Sequence, residues 1–122
     1  MPTVAVDFTY DDEWFVGEDK VLRIAVKDEA GAAVNIGGWT FAWEVRLSRY
    51  HPTIVLAKAT GSGITQFGPA ADGVVDVAVD KADTLALRAG TYYHGLARTN
   101  AGSWDVVAEG KAVLRKAAVH AT

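Results

Sequence analysis

The stretch A-G-T-Y-Y-H-G-L-A-R, Ala89 to Arg98, decides how the rest of the chain is read. A glycine ends a loop near its start, and a run rich in aromatic and aliphatic residues follows. In an extended backbone successive side chains alternate between two faces. Tyr92, His94 and Leu96 therefore share one face, and Tyr93 and Ala97 share the other. Just upstream, Asp83-Thr84-Leu85-Ala86-Leu87 reads as a loop crossing the end of a two-sheet sandwich. A tyrosine placed just after such a crossing can turn its hydroxyl back onto the loop backbone and pin the returning strand.

Working outward, the same period of two recurs. Phe41, Trp43, Val45 and Leu47 alternate with Thr40, Ala42, Glu44 and Arg46, the clearest strand in the sequence. Its apolar face predicts core positions at Phe41, Trp43 and Val45. Val75, Val77 and Val79 alternate in the same way, as do Leu22, Ile24 and Val26. Thr3 to Tyr10 reads as a first strand, followed by a solvated acidic turn at Asp11-Asp12-Glu13. Val34 and Ile36 form a short extended piece stopped by Gly37-Gly38, and Pro52 closes the segment carrying Tyr50 and His51. Ile54 to Lys58 and Ile64 to Phe67 are further strands around a Gly61-Ser62-Gly63 turn. Asn100-Ala101-Gly102 predicts a hairpin turn into a last strand, Trp104 to Leu114. On that strand Trp104, Val106, Ala108, Ala112 and Leu114 share a face, and Gly110 predicts a bulge or a close backbone approach. Seven to nine strands result, with no helix beyond one turn near Lys81 to Ala86. The fold class is all-β, a single antiparallel β-sandwich of immunoglobulin type over residues 1–116, with a short tail over 117–122. Tyr92, Leu96 and Trp104 complete the expected core.

Composition narrows the function classes. A chain of 122 residues suits one domain, and 50% hydrophobic residues can fill its core. The net charge of -3 argues against a nucleic-acid partner, which calls for a basic stripe. There is no cysteine, so disulfides, thiolate chemistry and cysteine-held zinc are excluded. No apolar run approaches the roughly 20 residues of a membrane helix, and no membrane partner is expected.

Candidate chemistry is sparse. Asp11, Asp12, Glu13, Glu18 and Asp19 lack the spacing of a calcium loop and read as turn residues, so no metal is expected. His51 and His94 have no nucleophile in a recognisable context, and Ser48, Ser62 and Ser103 lack an activating motif. No catalytic residue, cofactor or enzyme activity is expected. His94, in register with Tyr92 and Leu96, reads as a half-buried core histidine with a backbone partner. Trp14, Phe15 and Trp39 flank glycine-containing turns and are the candidate interaction residues, against the alternative that the tryptophans cap an end of the sandwich.

Gly17 to Arg46, G-E-D-K-V-L-R-I-A-V-K-D-E-A-G-A-A-V-N-I-G-G-W-T-F-A-W-E-V-R, resembles the opening of immunoglobulin-like domains in tailed-phage structural proteins. That family includes the amino-terminal domain of baseplate upper proteins and small head or tail decoration proteins. Asp72-Gly73-Val74-Val75, Ala89-Gly90-Thr91-Tyr92-Tyr93 and Ala108-Glu109-Gly110-Lys111-Ala112-Val113 match its later turn and strand motifs, so the likeness spans about Val4 to Leu114. Glu18-Asp19 and His94 depart from the pattern, and no functional residue transfers. The resemblance implies a non-enzymatic virion protein, made in the host cytoplasm, that binds other capsid or tail proteins and can self-associate in the particle. A capsid decoration or cement protein is the first expectation and a tail or baseplate adaptor the second. A carbohydrate-binding module, built on an exposed tryptophan, is the alternative from another class.

Overall fold

The computed structural model describes residues 4–5, 14–28, 30–48, 51–100 and 104–116. Among these, nine strands build the all-β fold: β1 (Val4–Ala5), β2 (Trp14–Phe15), β3 (Lys20–Ala25), β4 (Phe41–Arg46), β5 (Ile54–Thr60), β6 (Gly63–Phe67), β7 (Val74–Val79), β8 (Gly90–Arg98) and β9 (Asp105–Arg115). One helical turn, α1 (Lys81–Thr84), lies between β7 and β8. The strands follow the order β1-β9-β8-β4-β5-β6-β7-β3, with β2 also paired to β9. A sheet of β9, β8, β4 and β5 thus faces one of β6, β7 and β3. Among the described residues the two join where β5 and β6 run parallel, at Ala59↔Gly63 and Thr60↔Ile64.

The core lies between the layers, and the period of two explains it. Leu22, Ile24, Ile64, Val75, Val77 and Val79 face inward from one sheet; Phe41, Trp43, Val45, Tyr92, Leu96, Ala112 and Leu114 face inward from the other. Burying each large apolar side chain of this kind contributes about 1.5–3 kcal/mol. Tyr92 makes the expected corner: its hydroxyl donates to the Arg88 carbonyl oxygen at 2.7 Å. Two residues on, His94 is buried, and its Nδ1 accepts a hydrogen bond from the Trp43 indole Nε1 at 3.0 Å. An immunoglobulin-type sandwich sets its strand-F cysteine two residues after the corner tyrosine, against the strand-C tryptophan. In this cysteine-free chain an indole–imidazole hydrogen bond occupies that place.

Several expectations need correction. Trp104 is not a core residue: it is 59% exposed, and Val106 beside it is 47% exposed. The ladder between β8 and β9 shifts register, with Leu96 opposite Ala108 and Ala97 opposite Val106. Val107 is therefore the extra residue of a bulge. It turns inward with Ala108, and everything before it changes face. Gly110, by contrast, sits in unbroken register opposite His94. Trp14 is not an exposed interaction residue either. It is 1% exposed, because β2 pairs with β9 in parallel and directs the indole between the sheets, edge-on to Tyr92 at 6.3 Å. Leu47 lies past the end of β4 and is exposed. His94 is buried rather than half-buried, and its ring takes a side-chain partner in the Trp43 indole. The expectations for Val6 to Glu13, Tyr50, Ala101-Gly102 and the tail over 117–122 fall outside the described residues.

Candidate functional site

The outward face of β9-β8-β4-β5 carries the most chemistry on the molecule. Register across these strands sorts its side chains into three transverse rows. Ala59, Ala42, Ala97 and Val106 form an apolar row. Ala57, Glu44, Gly95 and Glu109 form the next, and Arg46, Tyr93 and Lys111 form the third. The middle of the face is floored by Ala42, Gly95 and Ala97, which offer little or no side chain. Larger groups surround them, so the face is concave, a groove of about 420 Å³ with Trp104 at one end and Arg46, Tyr93 and Lys111 at the other.

The polar groups of the groove are held in place. Arg46 Nη2 donates to Glu44 Oε1 at 3.0 Å, and Arg46 Nη1 donates to the His51 carbonyl oxygen at 2.8 Å. His51 is itself set by its Nδ1, which accepts from the Thr53 N–H at 3.1 Å. His51 thus serves the loop between β4 and β5, while His94 serves the core.

The opposite outer face is different. Arg23 lies over the Phe67 ring at 3.4 Å and donates to Asp76 through Nε at 2.8 Å and Nη2 at 3.1 Å. That hydrogen bond holds the guanidinium pKa above its ordinary value. The arrangement covers the aromatic ring.

The candidate interaction residues named from sequence are dispersed. Trp14 is core, and Phe15 is half-buried in β2. Trp39 is half-buried at the end of the sandwich, stacked by Arg98 at 4.0 Å and packed at 6.0 Å from Phe41. Asn100 ties that end together: its Oδ1 accepts from the Thr40 N–H and from Arg98 Nε, each at 3.0 Å, and its Nδ2 donates to Gly38. Trp39 is therefore an end cap. Of the acidic group, Asp19 Oδ1 accepts from the Lys81 N–H at 2.8 Å, while Glu18 Oε1 is buried with no hydrogen-bond partner among the described residues. The exposed tryptophan of the molecule's described part is Trp104, which sequence reading put in the core. Only the bulge at Val107 reveals it, and two consecutive valines do not announce which of them is extra.

Comparison with known proteins identifies the fold. No family model matches the sequence, and no curated protein matches it. Among solved structures, the chain is similar to the N-terminal domain of ORF48 of phage TP901-1, with a TM-score of 0.55 and 9% identity over 94% of this chain and 86% of that one. It is also similar to the natural killer cell receptor NKp44, at a TM-score of 0.46 and 14% identity, over 93% of this chain and 99% of the receptor chain. At 9% identity the phage likeness is one of fold.

Proposed function

We propose that this chain is a non-enzymatic structural protein of a tailed-phage virion, a capsid decoration protein that binds other virion proteins. The fold it shares with a phage protein domain supports that reading, but the surface carries it further. Strand β5 is paired to β6 only at Ala59 and Thr60, so Ile54 to Lys58 present one backbone edge with no partner among the described residues. Ile54, an exposed large apolar residue, lies on that strand. An open edge of this kind is a ready template for strand addition by another chain. Binding only the assembled lattice would stabilise it by mass action, in proportion to how far the free protein exceeds its dissociation constant.

The test is to purify particles, separate heads from tails and assay each for the chain. Recovery with heads is the expected result; recovery with tails would make it a tail adaptor, and absence from both would end the virion reading. Ile54→Lys places a charge at the open edge. It should lower incorporation while leaving the melting temperature of the free protein close to wild type, because surface changes usually shift stability by no more than about 0.5 kcal/mol.

A further inference from the structure

We infer that the groove on the outward face of β9-β8-β4-β5 is a saccharide-binding site for a neutral pyranose, separate from the open β5 edge. Three observations converge on it. The first is shape: about 420 Å³ falls within the range of roughly 300–1,000 Å³ typical of small-ligand sites, and the groove is open, so a longer chain can run through it. The second is the aromatic wall. Trp104, at 59% exposure, offers an indole ring beside the groove, and such a ring packs against the C–H face of a sugar while the sugar hydroxyls stay wet. The third is the placement of acceptors. Glu44 and Glu109 stand in one row on either side of Gly95. Two strand spacings put them about 10 Å apart, room for one ring with a hydroxyl bonded on each side.

One acceptor, Glu44, is ordered before any ligand arrives. Glu44 is fixed by Arg46, and Arg46 by the His51 carbonyl. A preorganised carboxylate loses little freedom on accepting a hydroxyl, which is how weak hydrogen bonds become net favourable. Glu44 and Glu109 are matched by Arg46 and Lys111, so the groove carries no formal net charge, which suits a neutral ligand. A partner protein's strand would gain nothing from this floor, since the backbone of β8 is already paired on both sides with β4 and β9.

Two substitutions test the site without touching the core. Trp104→Ala removes the stacking ring from an exposed position. Gly95→Leu fills the floor, and its Cβ is tolerated because the nearest atom it meets is the Ala108 carbonyl oxygen at 3.7 Å. The full chain, labelled for amide NMR, is titrated with maltotriose, chitotriose, a β-galactoside trimer and, as the anionic probe, a glucuronic acid oligomer. At least one neutral probe should shift the amides of Glu44, Gly95 and Glu109 saturably. Trp104→Ala should weaken that binding about tenfold or more, and Gly95→Leu should abolish it, with both variants keeping the wild-type dispersion of core amides. Absence of saturable shifts with every neutral probe, undiminished binding by either variant, or preference for the anionic oligomer would each overturn the site. So would a Trp104→Ala chain that binds sugar normally but fails to enter particles, which would make the groove a protein interface.

Discussion

Tyr92 and His94 stand two residues apart on β8 and hold the sandwich at its end and at its centre. The Tyr92 hydroxyl makes one bond to loop backbone, so Tyr92→Phe should cost about 0.5–1.5 kcal/mol in urea unfolding, with the slope of the transition unchanged. His94 is the acceptor for a buried indole N–H, and for that bond its Nδ1 must be unprotonated, leaving the proton on Nε2. His94→Leu keeps the bulk and strands the indole donor, at a cost of about 1–3 kcal/mol. The cycle of Trp43→Phe, His94→Leu and the double variant should show coupling of about 0.5–3 kcal/mol, because removing both partners leaves nothing unpaired. Additive changes would show that the indole–imidazole bond contributes nothing to stability. The corner tyrosine was legible in the sequence from a loop, a glycine and one aromatic residue. The bond between Trp43 and His94 was not, because it depends on two strands meeting in a register that no local pattern states.

Between elements, single residues act as spacers. Gly73 follows the short 3-10 turn Ala70–Asp72 in a left-handed conformation, φ 69°. A Cβ there would meet the carbonyl oxygens of Val34 and Val26 at 2.5 and 2.9 Å, where the Val26 N–H donates to the Gly73 carbonyl and the Val34 N–H donates to the Val26 carbonyl. Gly73→Ala therefore meets both backbone strain and fixed backbone atoms, and should destabilise by more than about 1 kcal/mol in the same unfolding assay. Val107 is the counterpart in β9. Deleting it removes the bulge and returns β9 to strict alternation, with Val106 still opposite Ala97 and Trp104 and Val106 still outward, so the loss is that of the buried Val107 side chain. The expected readout is a loss of stability in urea unfolding, from the missing buried side chain, with tryptophan emission close to wild type. The strands themselves were legible because β4, β7 and β8 keep a clean period of two. The site was not, because it is made by β5, β4, β8 and β9 together, and one unmarked bulge reverses the face of its tryptophan.

At the scale of the whole molecule, far-ultraviolet circular dichroism should be dominated by strand, with helix well below the average of about a third for globular domains. The topology has a further effect. Strands β1 and β2 both run parallel to β9, at Val4↔Ala108 and Trp14↔Leu114, so the first and last strands lie side by side and point the same way. A pull between the two ends of this domain loads those ladders along the strand axis. Several hydrogen bonds must then break together in shear, whereas a hairpin would open one bond at a time. Held by its ends, the domain should behave as a stiff mechanical link, and pulled through the β5–β6 turn it should peel at much lower force.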